Sequence, residues 1–290
     1  AARDIRAAVF PSLARVLPTL DAPRREMIVT LVGDLRDVEG RSLLMTAVDD
    51  PDPAVRAAAL RALGPIAGVE GIERLLTALS DGDERIVAAA TEAIGGLQGE
   101  TVDRAIVERL DADAPQLVIA AARLVAQRRI TQAVDRLELL ARSSENPAVR
   151  VAAIEGLGAT ADLDRLGPLV ALLVQDDPIR TGAVEALAVA GARLPRDEFA
   201  DRLAESLART DPQTASLLLE RIGTVEGPRA LGVLDRAARD AQDDRIRDTA
   251  TRMLGRWSSA DAAETLVGLA EDLKETKYRV RALRGVTDLR

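Results

Sequence analysis

Apolar residues recur along the chain in pairs of helical registers. Leu43, Leu44, Ala47 and Val48 mark one face of a helix, and Leu166, Leu169, Val170 and Leu173 repeat the spacing further on. A short polar turn follows, then a second segment of helical period. These second segments open with Asp or Asn, often with Pro next, at Asp52-Pro53, Asn146-Pro147, Asp177-Pro178 and Asp211-Pro212. A side-chain oxygen there can accept from the free backbone N–H groups of a first turn, where proline leaves none unpaired. They close at glycine, which predicts left-handed helix ends, and Pro65 after Gly64 bars continuation. The pattern predicts alternating helices without strands.

The pairs repeat. Asp52-Pro-Ala-Val-Arg-Ala-Ala-Ala-Leu-Arg-Ala-Leu-Gly64 returns as Asn146-Pro-Ala-Val-Arg-Val-Ala-Ala-Ile-Glu-Gly-Leu-Gly158. Aligned on Gly64, the equivalent residues are Gly33, Gly64, Gly95, Ala126, Gly158, Ala188, Gly223, Gly255 and Thr287, at intervals of 31, 31, 31, 32, 30, 35, 32 and 32. Val38-Glu39-Gly40 and Val69-Glu70-Gly71 keep the same 31-residue phase in the loops. A single helical hairpin cannot bury its apolar face alone, so neighbours must stack. The expected fold is all-α, an α-solenoid of about nine two-helix repeats in one domain spanning 1–290, with units near 3–36, 37–67, 68–98, 99–129, 130–161, 162–191, 192–226, 227–258 and 259–290. The 35-residue interval holds Gly191-Ala192-Arg193-Leu194-Pro195, which predicts a longer loop and a kink. The start at Ala1-Ala2-Arg3 and a last unit closing at Gly285 predict a module cut from a longer chain.

The shared pattern, Asp-x-x-x-Arg followed by Ala-Ala-x-x-Ala-Leu-Gly, resembles HEAT repeats, particularly the short form named after phycobilisome lyases. The Arg place holds Arg25, Arg56, Arg150, Arg180, Arg247 and Arg279, with Val87, Val118 and Ala215 in the other three units. The Asp place holds Asp21, Asp52, Asp83, Asp176, Asp211 and Asp243, with Asn146 substituting. The resemblance implies a right-handed superhelix whose second helices line a concave, partner-holding face. It also implies an Asp–Arg ladder between successive repeats, so that Asp21, Arg25, Asp52, Arg56, Arg150, Asp176, Arg180, Asp243 and Arg247 are structural.

Composition narrows the chemistry. The chain has no histidine and no cysteine, which excludes Ser-His-Asp and Cys-His catalysis, Cys/His zinc sites and disulfides. It also excludes the His-Glu iron site of the HEAT-like deoxyhypusine hydroxylases. A net charge of −8 and four aromatic residues (Phe10, Phe199, Trp257 and Tyr278) oppose nucleic-acid binding, including the basic, aromatic-lined cleft of HEAT-type DNA glycosylases. No apolar run reaches the length of a membrane span. The 52 alanines suit closely packed helices, and 37 arginines against two lysines point to a GC-rich bacterial genome. With no thiols, the compartment stays open between cytoplasmic and exported.

One candidate surface emerges. The position of Arg61 reads down the units as Thr30, Arg61, Glu92, Arg123, Glu155, Glu185, Glu220, Arg252 and Arg284. Glu155, Glu185 and Glu220 would form an acidic strip between Arg123 and Arg252, either receiving a partner's basic segment or standing as a solvated face. Trp257 and Tyr278 are expected to plug space between repeats rather than bind. Asp49-Asp50, Asp176-Asp177 and Asp243-Asp244 are expected to cap helices rather than hold cations, and the basic end from Leu273 to be a polar final repeat. The resulting expectation is a non-enzymatic, monomeric scaffold module for a protein partner. It has no catalytic residue, cofactor, metal, nucleic acid or membrane. A bilin lyase-type chaperone and a spacer in a multidomain protein remain as alternatives.

Overall fold

The computed structural model describes residues 2–289, with side chains from Val9 onward. Among the described residues there are eighteen α-helices and no strand. They form two compact units, Ala1–Ala133 and Val134–Arg290. The first holds α1 (Ala2–Val16), α2 (Ala22–Leu35), α3 (Arg41–Ala47), α4 (Pro53–Leu63), α5 (Gly68–Ala78), α6 (Glu84–Gly95), α7 (Glu100–Glu108) and α8 (Pro115–Arg128). The second holds α9 (Val134–Ser143), α10 (Pro147–Thr160), α11 (Leu166–Leu172), α12 (Ile179–Arg193), α13 (Arg196–Leu207), α14 (Pro212–Val225), α15 (Pro228–Asp240), α16 (Asp244–Leu254), α17 (Ala263–Asp272) and α18 (Thr276–Asp288).

Odd and even helices pair into hairpins, and like packs on like. In the first unit α2 lies against α4, α4 against α6 and α6 against α8. In the second, α10, α12, α14, α16 and α18 follow one another in the same way, while α11, α13, α15 and α17 form the other layer. The even helices are buried on alanines such as Ala59, Ala89, Ala121, Ala153 and Ala183, whose short side chains let helix backbones come close. Leucines fill what remains, with Leu44, Leu63, Leu75 and Leu76 fully enclosed.

Asp21, Asp52, Asp83, Asn146, Asp211 and Asp243 are N-caps, each accepting from a backbone N–H two or three residues on. Asp176 and Asp177 are exceptions: α12 starts at Ile179 without a side-chain cap, and Asp177 instead accepts from the Thr181 hydroxyl at 2.7 Å.

The repeating glycines do not serve as left-handed helix ends. Gly64 and Gly255 have φ of −40° and −67°, inside the right-handed region. Left-handed or related backbone falls instead at Arg36, Arg129, Glu226, Gly68, Gly99 and Gly227. What the repeat position needs is room. A Cβ on Gly33 would lie 2.5 Å from Ala62 Cβ, and one on Gly158 would lie 2.7 Å from Ala186 Cα and 2.8 Å from its carbonyl oxygen. Glycine stands there because the next even helix crosses at backbone distance.

The expected loop at 191–195 is also replaced by helix. α12 continues through Gly191 to Arg193, leaving Leu194 and Pro195 as the connection. Gly191 makes the extension possible, since its bare Cα faces the fully buried Phe199 ring, 2.9 Å from where a Cβ would stand.

Two substitution pairs test this packing. Leu63→Asp places a charge in a fully enclosed site and is expected to cost at least about 3–5 kcal/mol. Arg61→Glu, on the exposed side of the same helix, should cost no more than about 1 kcal/mol. Equal melting temperatures would show the helix phase to be wrong. Gly158→Ala is expected to lower the melting temperature, overpacking costing about 1–3 kcal/mol. Gly232→Ala, in mid-helix where a Cβ meets nothing within 4 Å, should raise it through helix propensity.

Candidate functional site

The even helices carry the candidate row on their exposed faces. In the first unit, Arg61 on α4 reaches Glu92 on α6, Nε to Oε2 3.0 Å, and Arg123 on α8 is exposed. In the second unit, Glu155 on α10 and Glu185 on α12 are exposed, one on each of two adjoining helices. Glu220 on α14 is half-buried and held by Arg252 on α16, with Nη2 2.6 Å from Oε1. The acidic row expected at three glutamates is therefore partly neutralised at one end. Glu155 and Glu185 stay exposed to solvent, with Val189, half exposed, one turn beyond Glu185.

The patterned arginines share one use, different from the ladder expected. Each donates to a backbone carbonyl at or beyond the end of the preceding odd helix. Arg25 binds Leu20 O at 2.7 Å, Arg56 Asp50 O at 3.0 Å and Arg150 Ala141 O at 2.9 Å. Arg180 binds Gln175 O at 3.0 Å, Arg247 Ala241 O at 2.5 Å and Arg279 Ala270 O at 2.8 Å. The last carbonyls of a helix lack intrahelical donors and carry its negative end, so a guanidinium there satisfies both. Pairing to the next repeat occurs through other carboxylates. Arg25 grips Asp50 with two 2.8 Å bonds, and Arg247 reaches Glu275 at 3.1 Å. Asp52 and Asp243, which a ladder would engage, are occupied as caps, and Asp176 only approaches Arg180 within its own repeat, at 3.8 Å.

The paired carboxylates are accounted for by such partners. Asp49 binds Arg74 at 2.5 Å and Asp244 binds Arg247 at 3.1 Å. Among the described residues no group of three or more acidic side chains converges as a metal site. The partners shift acidities. The Arg85 guanidinium and amide hold Asp83 at about 2, against 3.8 ordinarily. Burial pushes Asp50 up, but hydrogen bonds from Arg25 and the Asp52 amide hold it below 3.8. The Thr214 hydroxyl and amide lower Asp211, and the Ser259 hydroxyl, with the Trp257 indole, lowers Asp261.

Trp257 and Tyr278 are core residues, 2% and 0% exposed, as plugging requires. The indole N–H donates to Asp261 at 3.1 Å. At the basic end, Arg281 is taken up by Asp248 and Lys277 lies 4.3 Å over the Tyr278 ring, while Arg290 lies outside the described residues. Two internal arginines have no counterpart in the pattern read from the sequence. Arg128 binds Asp103 at 2.6 Å and reaches the carbonyls of Ile94 and Leu97, and Arg193 reaches that of Ala161. Their signal is positional, an arginine closing an even helix, but it occurs too seldom to stand out.

A family model for HEAT repeats matches residues 11–95 and 102–188. No curated protein matches the sequence. Among solved structures, Kap121p bound to Ste12p is similar at 12% identity and a TM-score of 0.57, over 98% of this chain and 37% of that one. The CpcE–CpcF complex of phycocyanin lyase from Nostoc sp. PCC7120 matches at 16% identity and a TM-score of 0.40, over 85% and 93%. Human deoxyhypusine hydroxylase matches at 18% and 0.37, over 99% and 97%. Of these three, the Kap121p likeness supports the solenoid fold, and the other two are too loose to carry an argument. No helix among the described residues is long and apolar enough to cross a membrane.

The depressed carboxylates fix the pH response. A group whose folded pKa lies below its unfolded value stabilises fully above that value, and the gain is lost as pH falls through the folded one. Melting temperature should therefore drop from just under 3.8 toward about 2, with Asp83→Asn removing part of the drop. With no histidine, it should be nearly flat between about pH 5.5 and 8. A titration centred near neutrality in thermal melts would contradict this account.

Proposed function

The chain belongs to the HEAT-repeat family, and from that premise we propose that it is a non-catalytic scaffold. It binds a protein partner carrying a basic segment, on the even-helix face of its second unit. The observation that carries this reading is the row Glu155, Glu185 and Glu220, one glutamate at the same position of three successive helices, two of them exposed. Packed helices lie about 8–10 Å apart. Extended chain advances about 3.3 Å per residue, so cations at every third position of a partner would meet successive glutamates. Val189 offers the same segment an apolar contact, and Arg252 ends the row by engaging Glu220.

The absence of histidine and cysteine supports the non-catalytic part, since the commonest general base and the thiolate nucleophile are missing. Net charge of −8 supports a basic partner over nucleic acid. Solvated ion pairs give little affinity each and are screened by salt, so such binding relies on several of them at once.

The test uses two baits in affinity capture from source-cell lysate, the chain itself and its Glu155→Lys, Glu185→Lys, Glu220→Lys variant, with thermal melts confirming that both are folded. A partner held by the first, released by added salt and missing from the second is the expected result. A partner held equally by both would overturn the reading and move the site to another face.

A further inference from the structure

One cavity lies away from the glutamate row, at one of the places where the pattern of internal arginines breaks. Six of the nine repeats place a guanidinium on carbonyls at or beyond the end of their odd helix; Val87 and Val118 hold that position in the third and fourth, and Ala215 holds it in the seventh. There a groove of about 490 Å³ opens between the α13–α14 and α15–α16 hairpins, over Leu207, Ala215, Leu219, Val233 and Ile246. The corresponding place between the second and third repeats is smaller, about 350 Å³, and more polar. Arg56 lines it, together with Asp49, Arg74, Thr77 and Asp81. The caps fix the equivalence, Asp211 for Asp52 and Asp243 for Asp83. On that alignment Ala208 stands for Asp49, Ala215 for Arg56, Ala237 for Thr77 and Ala241 for Asp81. Four polar side chains have become alanine around one opening.

We propose that this groove takes an arginine side chain from a partner protein, which supplies the guanidinium that the seventh repeat lacks. The carbonyls of Arg209 and Thr210, next in sequence to the groove residues Leu207 and Ala208, correspond to those that Arg56 and Arg25 bind in their own repeats. They stand beyond the C-terminal end of α13, which favours a cation. Asp240, exposed on the rim, is without an ion pair among the described residues. Arg236, one turn before it, also lines the groove, with its Nε donating to the Gly232 carbonyl at 3.4 Å. The apolar floor suits the methylene stem of an arginine. The planar fork can bond more than one oxygen at once, which a lysine ammonium cannot match in geometry.

The inference goes beyond the scaffold reading and does not need the glutamate row. It is tested on the full chain by methyl NMR, titrating N-acetyl-arginine-N-methylamide and, separately, its lysine and norleucine counterparts. The arginine probe is expected to shift the methyl signals of Ala215, Leu207, Leu219 and Ile246 saturably. The lysine probe should bind about tenfold more weakly, as should the arginine probe on Asp240→Asn, each losing charge-assisted hydrogen bonds. Ala215→Arg, which restores the missing side chain from within, should abolish binding and raise the melting temperature. Should that variant not fold, Ala215→Leu fills the groove and should abolish binding alone. The triple lysine variant of the glutamates should bind the probe unchanged, so the two readings fail separately. Equal shifts with all three probes, strongest binding of norleucine, no shift, or undiminished binding to the filled groove would each overturn the proposal.

Discussion

An even helix here meets the next even helix at a distance set by the absence of side chain. A hairpin of two amphipathic helices has more apolar surface than it can fold onto itself, and each repeat depends on its neighbour for the rest. Gly33 against Ala62 and Gly158 against Ala186 set the closest approach, and alanines such as Ala59 and Ala153 hold the helices near it. A methyl group added at such a crossing displaces a whole hairpin, because the opposing atoms are backbone. The leucine core, the caps and the exposed faces inherit their spacing from these contacts, which is why the interval between repeats stays near 31 while individual leucines and valines exchange.

Close packing of short helices creates many helix ends, each with carbonyls that lack an intrahelical donor. The protein meets this need with guanidinium groups. Arg25, Arg56, Arg150, Arg180, Arg247 and Arg279 serve their own repeats, while Arg128 and Arg193 reach back to the preceding one. A rigid fork that stays charged and bonds more than one oxygen suits the task better than an ammonium group. The excess of arginine over lysine thus has a structural use besides any origin in codon choice. Much positive charge is consumed internally, and carboxylates such as Glu185 and Asp240 stand exposed.

The fold was legible because its determinants are local and repeated. Asp52-Pro53 and Asn146-Pro147 announce helix starts, and the phase that buries Leu63 while exposing Arg61 follows from spacing alone. What escaped were features that need the third dimension. Gly64 looks the same in sequence whether it ends a helix in a left-handed turn or lets another helix pass, and only the crossing decides. Asp50, adjacent to a cap-forming turn, gives no local sign that it will hold Arg25 from the previous repeat. Gly191 reads as a breaker until Phe199 occupies the space it leaves. The glutamate row was found by register, but the engagement of Glu220 by Arg252 depends on how far α14 and α16 stand apart. Ala215 was visible as a departure from pattern, whereas the opening it leaves is a property of four alanines from different segments.

Trp257 is the only tryptophan, and it is enclosed near the end of the eighth repeat with its indole tied to Asp261 at the start of the ninth. In a linear array held by nearest-neighbour contacts, a single fluorophore is a local label. Its emission follows separation of the last two repeats, whereas far-ultraviolet circular dichroism sums helix lost anywhere along the chain. Where the two signals part company on heating or in denaturant, the difference measures how far fraying at that end runs ahead of the rest, with no dye or engineered probe required.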